Sequence, residues 1–155
     1  WPERGEIKSR GDRVKTLALK NGDLVVESGG HKTVSGSTKV AQELYLSLGE
    51  PYGSDRFHRD LGSVLDDFFG QPINDMTEAM VEAEVIRVVR SYIETQRLQV
   101  LEDHLESRQS RFDASDVVAE ISHIDVTVDY DKILVKLALR TATGSQVAIT
   151  RTVQP

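Results

Sequence analysis

The chain lacks cysteine and contains only four prolines among its 155 residues. Without cysteine, neither disulfide bonds nor thiolate-ligated metal sites can form within it, which fits a protein that folds in a reducing cytoplasm and is held together by packing. No stretch of the sequence approaches the roughly 20 apolar residues that a helix needs to cross a bilayer. These absences exclude a disulfide scaffold and favour an ordinary globular protein without a membrane partner.

Positive charge is also in short supply. The 19 Lys and Arg residues are outnumbered by 25 Asp and Glu residues, and the net charge of −6 argues against nucleic acid as the main partner. Residues 1–14 hold few apolar groups and are interpreted as an extended N-terminal arm, either solvated or bound to a polyanion, with residues 15–155 as a single domain. The modest basic group at this end comprises Arg4, Lys8, Arg10, Arg13 and Lys15.

Signatures of catalysis are absent from the sequence. The four histidines lie far apart, and none has the H-E-x-x-H spacing of a zinc site. No phosphate-binding loop, dinucleotide fingerprint or G-x-S-x-G elbow occurs. The adjacent acids Asp66-Asp67 and Glu102-Asp103 point to different sides if they are helical. We therefore expect no enzyme activity, no catalytic residue, no metal and no cofactor.

The first third of the chain predicts a hairpin followed by a helix. Asn21-Gly22 separates two alternating runs, Lys15–Lys20 and Asp23–Glu27, and is a strong turn signal because both turn residues must reach positive φ. A helix is expected to begin after Ser35 or Ser37, with a serine hydroxyl as its cap. Its apolar stripe is Val40, Ala41, Leu44, Tyr45 and Leu48, and Gly49-Glu50-Pro51 should end it.

Two more helices are predicted in the middle of the chain. A short amphipathic one is expected within Leu61–Phe69, and a longer one should be capped by Asn74 or Asp75. The apolar stripe of the longer one continues for about thirty residues, well beyond the average helix of about 11–12 residues. Either a single helix sends its far end towards another chain, or the chain breaks near Gln96-Arg97 into two packed helices.

The last third changes to the two-residue period of β-strands. Val118–Val128, Ile133–Thr141 and Gln146–Val153 are each predicted to form a strand, joined by short turns into an antiparallel sheet. The fold class is therefore α+β: an N-terminal β-hairpin, helices including one long helix, and a C-terminal antiparallel three-stranded sheet.

Several of these segments together resemble a known family. Gly22-Asp23-Leu24, Lys39–Leu44 and Gly49-Glu50 are similar to the first half of the GPW baseplate wedge family of contractile phage tails, which carries a legacy lysozyme-like label. The resemblance covers roughly residues 15–153. Its other matching positions are Val34, Phe57, Leu61–Leu65, Pro72, Ile121, Ile124, Val126, Leu134, Val135 and Thr143-Gly144.

This resemblance implies a structural role in a virion. Such proteins are present in six copies in the tail baseplate, which is assembled in the host cytoplasm, and they contact baseplate wedge core subunits, possibly tube or hub proteins, and the first ring of tail sheath protein. The alternatives are a peptidoglycan-degrading lysozyme-like enzyme, as the legacy label has it, or the equivalent subunit of a bacterial contractile injection system.

The chain departs from the family at the residues that dock to the wedge core. Pro51 stands where the family usually has an arginine, with Arg56 as the nearest substitute, and Val118-Ala119-Glu120 stands where the family has Glu-Pro-Arg. The resemblance therefore implies a contact with the wedge core through Glu50, Arg56 and Glu120, and the extended long helix is an alternative docking element.

The final strand is the predicted partner-binding site. A terminal sheet leaves at least one strand edge whose N–H and C=O groups can accept a strand from another chain, and only Arg151 is charged within this strand. Proline in place of Ile149 is expected to block such pairing by removing one donor. The predicted edge comprises Gln146, Val147, Ala148, Ile149, Thr150, Arg151, Thr152 and Val153.

Overall fold

The computed structural model describes residues 15–20 and 23–155 and has the predicted α+β fold. The long strands β7 (Val118–Val128), β8 (Ile133–Thr141) and β9 (Gln146–Val153) have the predicted bounds. The predicted N-terminal arm and the predicted Asn21-Gly22 turn lie outside the described residues. The other elements, in chain order, are β1 (Thr16–Leu17), β2 (Leu19–Lys20), β3 (Asp23–Leu24), β4 (Val26–Glu27), β5 (Gly30–His31), β6 (Thr33–Val34), α1 (Gly36–Gly49), a 3₁₀ helix (Leu65–Phe68) and α2 (Thr77–Leu105).

The six short strands form a closed unit of three ladders. Strand β2 pairs with β3 as predicted, while β4 pairs with β5 and β6 returns to pair with β1. A ring of three backbone hydrogen bonds joins the ladders: Ala18 N–H donates to Lys32 O, Lys32 N–H to Val25 O, and Val25 N–H to Ala18 O, at 2.8–2.9 Å. The predicted hairpin is thus confirmed, and a third segment that the sequence pattern did not indicate closes it.

The alternating pattern of this hairpin predicts that Leu17 and Leu19 share an apolar face with cross-strand partners from Leu24 to Val26, and this face is not buried. Leu17 and Leu24 are 44% and 47% exposed, whereas Ala18 is buried. The side-chain amide of Gln42 on α1 fixes the unit in place, since it donates to Leu17 O and accepts from Leu19 N–H, both at 2.8 Å. Polar contacts to the backbone therefore hold the unit against α1, in place of the expected cross-strand apolar cluster.

Helix α1 occupies the predicted range, but its cap comes from elsewhere. Ser35 is the N-cap residue, and its hydroxyl makes no capping hydrogen bond. Instead Oδ1 of the buried Asp116, just before β7, accepts the Gly36 N–H at 2.6 Å. Asp116 also accepts the Asp113 N–H at 3.1 Å. One carboxylate thereby ties the start of α1 to the loop that leads into the sheet.

Helix α2 is continuous through Gln96, so of the two alternatives the single long helix is confirmed. It begins at Thr77, one residue later than an Asp75 cap would place it, because the Asn74 side chain accepts the Met76 N–H (2.9 Å) in a turn before the helix. The buried Gln96 side chain donates to Asp116 O (2.7 Å) and accepts the Val118 N–H (3.2 Å). The residue that suggested a break therefore attaches α2 to the start of β7.

The predicted short helix is reduced to a single 3₁₀ turn, Leu65–Phe68. Its expected first residues are not helical, because Ser63 pairs with Pro51: Ser63 N–H donates to Glu50 O (2.7 Å) and Tyr52 N–H to Ser63 O (2.9 Å). Gly62 has a φ of 96°, and a Cβ there would overlap the backbone of Glu50 and Pro51. This close backbone approach overrides the helical spacing of the apolar residues.

The antiparallel sheet has the order β7-β8-β9 and is covered on one face by both helices. Strand β8 alternates between buried and more exposed residues, so one set of its side chains faces the helices and the other faces away. The core formed between this face and the helices includes Val40, Leu44, Leu48, Val81, Val85, Val89, Ile133, Val135, Leu137, Leu139, Val147 and Ile149.

The role of Asp116 gives a stability prediction. Asp116→Ala should lower the free energy of unfolding by about 1–3 kcal/mol, because the Gly36 N–H loses its acceptor at a buried position. Ser35→Ala is the matched control and should stay within about 0.5 kcal/mol, since that hydroxyl caps nothing. Urea unfolding followed by circular dichroism measures both, and equal losses in the two variants would contradict the assignment of the cap.

Candidate strand-edge interface

Strand β9 forms one edge of the terminal sheet, and it contains all eight of the predicted partner-binding residues. It pairs with β8 over eight consecutive residue pairs without a register shift. Within residues 15–20 and 23–155, no strand pairs with its other side. The feature is therefore a straight open edge of eight residues, from Gln146 to Val153.

The turn between β8 and β9 decides which backbone groups face the open side. Thr141 N–H donates to Ser145 O at 2.9 Å, and Gly144 N–H donates to Thr141 O at 2.8 Å. Thr141 and Ser145 are thus a hydrogen-bonded pair, and bonded and non-bonded pairs alternate from there along an antiparallel ladder. The register then directs the backbone groups of Val147, Ile149, Arg151 and Val153 towards β8. The N–H and C=O groups that point away from β8 belong to Gln146, Ala148, Thr150 and Thr152.

This alternation corrects the expectation for Ile149. Its N–H lies within the β8–β9 ladder, opposite Leu137, and its side chain is buried. Proline there would break the protein's own sheet rather than block the open edge. Thr150 is the position where proline removes an outward donor and leaves the internal ladder intact.

The face of β9 turned away from the helices carries no charge. Its side chains, from Gln146, Ala148, Thr150 and Thr152, are exposed. The corresponding face of β7 and β8 carries the ion pairs Glu120–Arg140 (3.2 Å) and Asp125–Lys136 (3.0 Å). Charged side chains discourage unwanted strand pairing. The outer face of the sheet has such charges on β7 and β8 but none along β9.

The opposite edge of the sheet, strand β7, is irregular. Its pairing with β8 shifts register between Val118 and Glu120 and again between Ile121 and His123. Bulges of this kind twist an edge and interrupt the regular row of backbone groups that an added strand would need. Of the two edges of this sheet, β9 is therefore the one suited to strand addition.

Arg151, the single charged residue of β9, turns towards α1. Its guanidinium carbon lies 4.2 Å from the centre of the Tyr45 ring, a cation–π contact. It also fills the space beside Gly49, where any Cβ would overlap it. The positive charge thus lies near the C-terminal end of α1, where the helix dipole favours it. This contact could not be predicted from the sequence, because nothing local to Gly49 indicates a neighbour from a distant strand.

The three residues expected to dock to a wedge core do not form one cluster. Glu50 is exposed and accepts the Ser54 hydroxyl at 2.7 Å, and Arg56 is exposed in the following loop. Glu120 shares a row of the sheet with Arg140 and Gln146, whereas the end of α1 lies beside Arg151. Five residues of strand, about 17 Å, separate those two rows.

A groove of about 590 Å³ lies between α1, α2 and the loop at Phe57–Leu61. Two acidic side chains, Glu43 and Asp60, line this groove. Glu43, however, is already engaged: the Tyr92 hydroxyl donates to it at 2.6 Å, and the buried Lys39 ammonium lies 3.3 Å away. Burial and the neighbouring Glu43 carboxylate raise the pKa of Tyr92. The Tyr92 bond joins the two helices, and both contacts fall on Oε2 of Glu43.

Two buried carboxyl groups, those of Glu84 and Asp103, have a lowered pKa. Burial raises the pKa of Glu84, but hydrogen bonds from the Arg87 guanidinium and the Val64 N–H outweigh it and leave the pKa below its usual value. Backbone and side-chain hydrogen bonds from Arg111 likewise lower the pKa of Asp103. A general acid for glycoside hydrolysis needs a raised pKa, and these two carboxyls are shifted the other way.

In the part of the chain that the structure describes, no group of His, Cys, Asp and Glu side chains is arranged to hold a metal ion. No helix within that part combines the length and the apolar character needed to cross a membrane.

Comparison with known proteins identifies a shared fold. No protein-family model matches the chain, and no curated protein matches it. A crystal structure of a Geobacter sulfurreducens protein, provisionally named a tail lysozyme, superimposes with a TM-score of 0.55 at 15% sequence identity. The similarity covers 85% of this chain and 96% of that one. At this identity the comparison shows that the two chains have the same fold.

The assignment of the open edge predicts an alternating pattern of amide exchange in the isolated protein. The N–H groups of Ala148, Thr150 and Thr152 should exchange quickly with solvent, while those of Val147, Ile149 and Arg151 should be protected by β8. Hydrogen–deuterium exchange followed by NMR measures each amide separately. Uniform protection along the strand would mean that the open side is already covered.

Proposed function

We propose that this protein is a structural baseplate wedge subunit of a contractile tail, which links the baseplate to the tube and the sheath. It initiates sheath assembly by strand-edge pairing along β9. The observation that carries this proposal is the open β9 edge, with its regular register and uncharged outer face. Strand addition gains its affinity from main-chain hydrogen bonds, and the four outward residues each offer one donor and one acceptor.

The shared fold supports the tail context. The Geobacter protein is named a tail lysozyme, and nearly all of that chain is matched by this one. The finer assignments, six copies in a virion baseplate assembled in the host cytoplasm, come from the family resemblance of the sequence. The equivalent subunit of a bacterial contractile injection system would use the same edge in the same way.

Docking to the baseplate is proposed to use the far end of α2. Leu98, Leu101 and Leu105 follow one another at steps of three and four, and they are 52%, 51% and 73% exposed. An apolar stripe with this spacing suits a helical partner such as a wedge core bundle. Glu50, Arg56 and Glu120 remain the polar contacts implied by the resemblance, as separate points of contact.

A second candidate function is peptidoglycan hydrolysis, favoured by the name of the Geobacter protein. Cleavage of a glycosidic bond needs two carboxyl groups about 5–10 Å apart, one of them with a raised pKa. Glu43 in the groove is bound by Lys39 and Tyr92, while Glu50 and Asp66 are exposed. These environments support a structural role, and we propose that the protein is not an enzyme.

The edge-pairing proposal is tested with Thr150→Pro, in particles reconstituted from the cognate baseplate, tube and sheath proteins. This variant should fold but nucleate sheath poorly, because it lacks one outward N–H donor. Thr150→Val keeps the N–H and is the matched control. Sheath length is measured by electron microscopy, with circular dichroism as the check on folding. Sheaths of normal length on folded Thr150→Pro particles would count against the proposal.

The hydrolase alternative is tested by zymography on peptidoglycan. We expect no clearing by the purified wild-type chain, and therefore no change in Glu43→Gln, Glu50→Gln or Asp66→Asn. Clearing by the wild type that is lost in one of these variants would establish hydrolysis and refute the structural assignment.

A further inference from the structure

Arg151 has an incomplete set of partners in an otherwise well-packed environment. Among the described residues it stacks on Tyr45 and has no carboxylate within ion-pair distance, and its Nε is buried without a hydrogen-bond partner. Glu50, which directly follows Gly49 on α1, accepts from Ser54 instead. Buried polar groups in native proteins nearly always find a partner, so this guanidinium is prepared for a group that residues 15–20 and 23–155 do not supply.

The geometry of the open edge indicates where the missing partner of the Arg151 guanidinium would lie. Because Thr150 and Thr152 carry the outward N–H and C=O groups, Arg151 occupies a non-hydrogen-bonded position with respect to an added antiparallel strand. At such positions the facing Cα atoms are only about 4.5 Å apart, so the side chains lie closest together. The residue opposite Arg151 would point to the same face of the sheet, towards α1, beside the guanidinium.

The chemistry of the site favours a carboxylate there. A guanidinium binds a carboxylate through parallel N–H bonds in its own plane, and the guanidinium carbon of Arg151 lies over the Tyr45 ring. The neighbouring inward positions on β9, Val147 and Ile149, are apolar and buried. A complementary strand therefore needs apolar side chains opposite those two residues.

We infer that the strand completing this sheet presents an Asp or Glu opposite Arg151 and apolar residues opposite Ile149 and Val147. The inference rests on the proposed edge pairing and adds the chemical identity of the partner strand. Arg151 thus selects which strand can add and fixes its register, since a slip by one residue would turn the acid to the outer face.

Short capped peptides provide the test. Both peptides have threonine at alternate positions. In an antiparallel strand beside β9, the positions between the threonines place glutamate opposite Arg151 and valine opposite Ile149 and Val147. The second peptide has glutamine in place of the glutamate. Titration into the ¹⁵N-labelled full chain, followed at the outward amides of β9, gives both affinities. The glutamate peptide should bind about two- to fivefold more tightly, the range of a favourable cross-strand charge pair.

Variants separate this inference from the proposed function. Arg151→Gln should abolish the preference for glutamate, and Arg151→Lys should retain part of it, because lysine keeps the charge but not the planar fork. Equal affinity of the wild type for the two peptides, or a preference that persists in Arg151→Gln, would overturn the carboxylate inference and leave edge pairing standing. If neither peptide shifts the β9 amides, both the edge pairing and this inference are contradicted.

Discussion

A β-strand carries hydrogen-bonding groups along both of its sides, and in this protein β8 satisfies only one side of β9. The other side of β9 has no register shift, and the side chains on the outer face of the strand are uncharged. The β7 edge, in contrast, is interrupted by two register shifts. The buried side chains of Val147, Ile149 and Val153 hold β9 in place, because a slip by one residue would expose them. An edge that is both open and fixed in register has the properties of a template for another strand.

The rest of the fold holds that template rigidly. Helix α1 packs across β9, with its first N–H bound to Asp116 and its last turn covered by Arg151. Tyr92 on α2 binds Glu43 on α1, and Gln96 connects α2 to the start of β7. These polar contacts join elements that are far apart in the sequence. Buried hydrogen bonds of this kind favour one arrangement of the helices over the sheet, and so they fix the position of the open edge.

The sequence predicted best where one face of an element is buried along its whole length. Alternation gave the bounds of β7, β8 and β9, and the long apolar stripe gave the extent of α2. The cap of α1 could not be predicted, because its acceptor, Asp116, is 80 residues away. Gly62 and Gly49 are explained only by close neighbours from other segments. The apolar pattern alone does not show whether the Ile149 N–H faces β8 or the open edge. The turn at Thr143-Gly144-Ser145 determines this direction.

The central claim is that another chain fills the open side of β9 when the protein is in its assembly. A cryo-electron microscopy reconstruction of an assembled tail, resolved well enough to trace strands around this subunit, tests it directly. The account predicts a continuous strand from a different protein beside Gln146–Val153, bonded to the outward groups of Ala148, Thr150 and Thr152. A β9 edge that faces solvent in the complete particle, or that is covered by the protein's own N-terminal residues, would contradict it.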